Sequence, residues 1–236
     1  MSPAPGPDLA ERFFSGTGFS YDRIVTLCTL GLDRAWKRAI LAKIPPDSKR
    51  VLDQGAGTGI LTFAIARRCP RARVVGVELR REYLAFAAAK KQRLGVRNVE
   101  FVQGRAEDVV LRGEVDVIAS SYLAKYAELG RLVANARQML RDGGLLIAHD
   151  FTYPNPGLPL AVWKAYFRVL QTLGPRLHPE WREAFFGLPA LLRSTTWVEQ
   201  LVESLRSSGF EEPRVRRLAF GAAAWVTARK AAGSPG

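Results

Sequence analysis

The chain has 236 residues, 47% of them apolar and 24% charged, which is enough for one cored domain or one domain with a cap. Cys28 and Cys69 have no metal-type spacing, so neither a disulfide framework nor a metal site is expected, and a reducing cytoplasm is the expected compartment. The formal net charge of +13 is concentrated: ten basic residues lie between Arg67 and Arg97 against Glu78 and Glu82. Such a patch suits RNA, an anionic membrane surface or plain solvent. The Pro-rich stretch Met1 to Ala10 lacks the apolar core of a secretion signal, and no run reaches membrane-spanning length.

Residues 9–43 read as mostly helical, with Phe13, Phe14, Phe19 and Tyr21 on an apolar face, and Pro45-Pro46 closes the segment. From Arg50 the pattern alternates. Strands are predicted over Arg50–Gln54, Arg73–Leu79, Val99–Gln103, Val115–Ser120 and Leu145–Phe151, with helices over Gly59–Arg68, Arg80–Leu94 and Lys125–Leu140. This order predicts a parallel sheet covered on both faces. Gly143-Gly144 is read as the turn into the fifth strand. Residues 151–190 then hold eight aromatics on helical stretches broken at Gly174-Pro175 and Gly187. They are expected to pack on the sheet edge or to form an apolar lid over the carboxyl ends of the strands. A helix over Thr195–Ser208 and strands over Arg214–Ala219 and Ala223–Arg229 complete the chain.

Val51 to Thr62, V-L-D-Q-G-A-G-T-G-I-L-T, carries the most information. A buried strand ends in Asp53, and Gly55, Gly57 and Gly59 alternate with Ala56 and Thr58 before a helix. Glycines so spaced let backbone turn sharply and approach a ligand with no Cβ between. The dinucleotide fingerprint requires a third glycine at 60 or 62, where Ile60 and Thr62 stand. Asp53 suits an ammonium group better than a pyrophosphate. Glu78 closes the next strand 19 residues after Gly59, where a carboxylate can accept both hydroxyls of a ribose.

This run resembles motif I of the class I S-adenosylmethionine (SAM) methyltransferases. Taken from Phe13 to Lys230, the chain resembles the ubiquinone/menaquinone biosynthesis C-methyltransferase family. Tyr21-Asp22, Gly31-Leu32-Asp33-Arg34-Ala35-Trp36-Lys37-Arg38, Asn98 to Glu107, Leu140 to Gly144, Asp150-Phe151, Gly209-Phe210 and Gly221–Val226 carry the likeness. It implies a Rossmann-like domain whose seven-stranded, mostly parallel sheet ends in an antiparallel hairpin, with helices on both faces. Its expected parts are a helical cap (9–46), a SAM-binding core (50–151), an aromatic-rich insertion or lid (152–193) and a terminal helix and hairpin (194–230). The implied SAM site comprises the glycine turn with Thr62, Glu78-Leu79, Arg105-Ala106-Glu107 and Ser120-Ser121, and Tyr21 near the methionine end. Two departures from the family's pattern stand out: Arg105 replaces a small polar residue, and Tyr122-Leu123-Ala124-Lys125-Tyr126 replaces an aromatic-Gly-Leu-Arg-Asn run.

The implied reaction is methylation of a ring carbon of a prenylated quinol or another small phenol. Lys125 is the candidate for stabilising phenolate charge, and Tyr126, His149 or Asp150 for relaying the proton. His149 lies on an apolar strand and also suits a plain core histidine. A small-molecule O- or N-methyltransferase is the alternative. A nucleic-acid methyltransferase or RNA-binding relative ranks below both, because Ser120-Ser121-Tyr122-Leu123 stands where amine methylation of bases shows an N-P-P-Y-like motif. Peripheral contact with an anionic membrane, through the basic 67–97 segment, and a homodimer are compatible with the reading.

Overall fold

The computed structural model describes residues 7–233; the part of the leader-free reading that concerns residues 1–6 lies outside them. The amino-terminal region forms α1 (Pro7–Phe14), α2 (Tyr21–Cys28) and α3 (Leu32–Lys43). The alternating region follows as β1 (Arg50–Gln54), α4 (Ile60–Arg68), β2 (Arg73–Glu78), α5 (Arg81–Leu94), β3 (Val99–Gln103), β4 (Val115–Ser121), α6 (Leu129–Met139) and β5 (Leu140–Phe151). Then come α7 (Leu158–Leu177), α8 (Arg182–Ser194), α9 (Trp197–Ser207), β6 (Phe210–Leu218) and β7 (Ala223–Lys230).

One seven-stranded sheet runs in the order β3-β2-β1-β4-β5-β7-β6. The pairs among β1 to β5 are parallel, and β7 is antiparallel to both β5 and β6. The order reverses between β1 and β4, so a crevice opens at the carboxyl ends of those strands. Strands buried on both faces need β-branched and apolar runs such as Val74-Val75 and Val117-Ile118, and these are nearly sealed from solvent. One face is covered by α6 and α9 through Leu132, Val133, Trp197 and Leu201, the other by α3 and α4 through Ile40, Ile44, Phe63 and Ile65. A third cluster joins α1, α2 and α8 through Phe13, Ile24, Trp181 and Phe185.

Three local expectations change. The helix expected from Lys125 begins only at Leu129, because Asp150 captures the backbone N–H of Lys125 at 3.0 Å and holds residues 122–126 as a turn. Gly143-Gly144 lies inside a longer β5, at a register shift against β4. The glycines read as helix breakers are contact points instead. α7 runs through Gly174-Pro175 and α8 through Gly187. A Cβ at 174 would sit 2.4 Å from the Phe185 ring and one at 187 would sit 2.3 Å from Phe13, so glycine there permits close helix packing. The break falls instead at the 3-10 turn Pro179–Trp181.

The basic 67–97 segment is divided by the fold. Arg67, Arg68, Arg71, Arg73 and Arg97 sit near the amino ends of β2 and β3, about 20 Å along the strands from the crevice. Arg73, Arg80 and Lys90 are ion-paired with Glu100, Glu82 and Asp22.

Candidate active site

Two adjoining cavities lie at the carboxyl ends of the strands. The smaller, about 110 Å³, is lined by Tyr21, Gly55, Gly57, Glu78, Leu79, Arg105, Ala106, Glu107 and Ser121, with Tyr83, Leu123 and Tyr126 beside them. The larger, about 480 Å³, has almost purely apolar walls from α1, α2, α7 and α8. Phe14, Tyr21, Tyr122 and Tyr126 line both, so a group held in one faces a group held in the other across these rings.

The glycine turn is built for a ligand's close approach. Gly55, Gly57 and Gly59 all have positive φ, and a Cβ on Gly57 would find no protein atom nearer than Tyr83 at 3.9 Å. It would instead point into the small cavity. Glu78 faces the same space, its carboxylate accepting the Gly57 N–H at 2.8 Å and the Arg80 N–H at 2.9 Å. Burial raises its pKa while these N–H donors oppose the rise. The carbonyl of Ala106 is pinned by Gln54 at 3.2 Å and Asn135 at 2.9 Å, which fixes the segment after β3.

Asp53, Ala56, Thr58, Gly59, Thr62 and Ser120 do not line the cavity but lie beneath or behind it. Asp53 accepts the Thr62 hydroxyl at 2.6 Å, and burial pushes its carboxyl up to about 7. Thr58 donates to Asp22, which Lys90 also meets, so α2 and α5 are clamped to the glycine turn.

The candidate acceptor-side residues divide in two. Lys125 and Tyr126 line the large cavity, whereas His149 and Asp150 do not. Lys125 Nζ lies 2.5 Å from Asp150 Oδ1, and both residues are almost wholly buried. Burial lowers the Lys125 pKa and raises that of Asp150, and their mutual attraction opposes both shifts. Asp150 thus positions Lys125 rather than facing the cavity. The Tyr126 hydroxyl is buried between the cavities with no partner, and burial keeps it protonated. A buried donor at that junction is free to meet a polar group.

His149 Nδ1 meets Ser121 Oγ at 3.1 Å, and its ring packs between Trp36 and Tyr122. Burial and the ammonium groups of Lys37 and Lys125 push its pKa down to about 3, so the ring is neutral. Unfolded histidine titrates near 6.5, so between about pH 3 and pH 6.5 the unfolded chain binds the extra proton and stability falls as pH falls. His149→Leu is expected to lose less stability than the wild type across that window; urea unfolding at a series of pH values checks it, and parallel curves would refute it.

Tyr122, Asp33 and Lys37 were not singled out from sequence. Tyr122 has φ +69°, stacks on Phe151 at 4.6 Å and donates its hydroxyl to Asp33 at 2.8 Å. Lys37 pairs with Asp33 and lies 4.7 Å from the Tyr122 ring. Asp33 and Lys37 are one helical turn apart within the Gly31–Arg38 run, so their i, i+4 spacing was the available signal.

Residues 51–144 match the model of a methyltransferase domain. The chain is 29% identical over 223 residues to the demethylmenaquinone methyltransferase of Deinococcus radiodurans, covering 92% of this chain and 90% of that protein. It is 28% identical over 222 residues to the ubiquinone/menaquinone biosynthesis C-methyltransferase UbiE of Dinoroseobacter shibae, covering 92% and 88%. In fold it matches a putative S-adenosyl-L-methionine-dependent methyltransferase of Methanococcus maripaludis, with TM-score 0.65 at 14% identity over 92% of this chain and 94% of that one.

The doubly wound sheet thus has the fold of the class I SAM-dependent methyltransferases, and the segment that holds the open glycine turn and the strand-end acid matches a methyltransferase domain. Along nearly its whole length the chain is similar to the ubiquinone and menaquinone biosynthesis C-methyltransferases.

Proposed function

We propose that the enzyme methylates a ring carbon of a prenylated quinol. The observation that carries this reading is the large apolar cavity, whose lining includes the buried lysine Lys125 and Tyr126, the hydroxyl of the latter having no partner. An apolar cavity of this size suits a ring with its first isoprene units. Names of the sequence relatives, which refer to demethylmenaquinone and ubiquinone/menaquinone, support the same class.

In this reading Tyr21, Gly55, Gly57, Glu78, Leu79, Arg105, Ala106, Glu107 and Ser121 contact the cofactor. Asp53, Ala56, Thr58, Gly59, Thr62 and Ser120 support that surface from behind, and His149 orients Ser121. Bound SAM supplies the methyl group as an electrophile. With the phenolic proton given up to solvent, electron density moves onto the ortho carbon, which takes the methyl, leaves S-adenosylhomocysteine behind and loses its own hydrogen as a proton that restores the phenol. Lys125, held by Asp150, favours the phenolate, and the Tyr126 hydroxyl hydrogen-bonds its oxygen. Apolar walls keep water from competing for those bonds.

The test is mass spectrometry of product from SAM and a prenylated demethylquinol, with water-soluble phenols and amines as competitors. Ring-carbon methylation of the quinol is expected, and Tyr126→Phe should lower kcat about tenfold, as for one lost hydrogen bond to a charged oxygen. Methylation confined to soluble hydroxyl or amine groups would replace the quinol by the small-molecule alternative.

A further inference from the structure

Around the mouth of the large cavity stand Leu30, Leu158, Val162 and Phe220, which line it and yet are 74%, 77%, 59% and 81% exposed. Leu30 and Phe220 occupy left-handed backbone, φ +50° and +55°, where glycine is the usual choice. Holding a large apolar side chain on such backbone is unfavourable at each site. Two separate turns do this at one opening.

The mouth continues into α7. Its inner side carries Trp163, Phe167 and Leu170 into the cavity wall. Its outer side exposes Leu158, Val162, Val169 and Leu173 at intervals that keep them on one stripe. Lys164, Arg168 and Arg176 are also exposed, and the helix contains no Asp or Glu. An exposed apolar stripe on a helix whose charged residues are all cations is the pattern of a helix lying in a membrane interface. No helix among the described residues is long and apolar enough to cross a membrane.

We propose that the solvent face of α7 and the rim formed by Leu30, Leu158, Val162 and Phe220 dock on an anionic lipid bilayer, with the large cavity opening against it. Charge argues for lipid over a second copy of the chain, since packing α7 against its own copy brings two acid-free basic helices together. The placement differs from a contact through the 67–97 segment, whose arginines Arg67, Arg68, Arg71, Arg73 and Arg97 lie at the other end of the sheet. What the inference says of acceptor access rests on the quinol reading; the docking surface itself does not.

The experiment is co-sedimentation of the full chain with phosphatidylcholine vesicles, with and without phosphatidylglycerol, across a salt series. Binding is expected to require phosphatidylglycerol and to weaken as salt rises. Lys164→Glu with Arg168→Glu, and separately Val169→Asp with Leu173→Asp, should each lower partition about tenfold or more. None of these four residues lines either cavity, so SAM affinity by calorimetry verifies the fold of each variant. Arg67→Glu with Arg71→Glu should change partition less than about twofold. Overturning results are absence of vesicle binding at low salt, loss only in the Arg67/Arg71 variant, or a dimer by ultracentrifugation that Val169→Asp with Leu173→Asp dissolves while vesicles are ignored. Because methylation is not measured, failure of docking leaves the quinol reading to its own test.

Discussion

Lys125→Met is expected to destabilise the protein by about 3–5 kcal/mol and to lower turnover about tenfold or more. The stability loss follows from Asp150, which is fully buried and would keep only the backbone N–H groups of residues 125 and 151 as hydrogen-bond donors. An unpaired carboxylate there has no solvent to screen it. Turnover falls because the cavity loses its ammonium. Lys125→Met with Asp150→Leu separates the two effects. Exchanging a buried ion pair for apolar side chains is close to neutral for stability, so most of the melting temperature should return. Turnover should not return, and SAM affinity should stay near the wild-type value. Recovery of turnover in the double variant would reduce Lys125 to a structural group. Denaturant unfolding, calorimetry and steady-state kinetics on the three proteins decide the matter.

Gly57→Val is expected to weaken SAM binding by about 2–3 kcal/mol, roughly a hundredfold, while the protein still folds. The position has φ +57°, and a Cβ there would enter the small cavity with Tyr83 at 3.9 Å as its nearest neighbour. Space inside the protein is therefore not the obstacle. A branched side chain would fill the cofactor's place and strain the left-handed backbone, with about 1–2 kcal/mol of that strain felt as lost stability. It would also disturb the 2.8 Å bond from the Gly57 N–H to Glu78, so that carboxylate would lose its setting. Calorimetric titration with SAM, alongside a melting curve, measures both parts. Wild-type affinity in the folded variant would show that the cofactor does not lie over this turn.

Much of the fold was legible because its causes are local. β1, β2 and β3 follow from short β-branched runs between turn residues, and Gly55 to Gly59 mark the sharp turn because few other residues take positive φ freely. Glu78 at a strand end is read by counting. Of the aromatics in 151–190, Trp163, Phe167, Trp181 and Phe185 line the large cavity.

What local spacing does not carry is which distant group captures a backbone or side-chain atom. Asp150 reaches Lys125 across 25 residues and shortens α6; Tyr122 reaches Asp33 across 89. Gly174 and Gly187 have the composition of helix breakers, yet helix–helix contact with Phe185 and Phe13 keeps both helices continuous, as packing overrides propensity. His149 and Asp150 are neighbours in the sequence of β5 and were equal candidates for proton transfer. Only the tertiary structure seals one against Trp36 and Tyr122 as a neutral ring and spends the other on Lys125. Pattern and turn chemistry determined the sheet and the glycine-lined groove; burial and long-range pairing, which depend on the whole packed chain, decided which of its charged groups face the cavity.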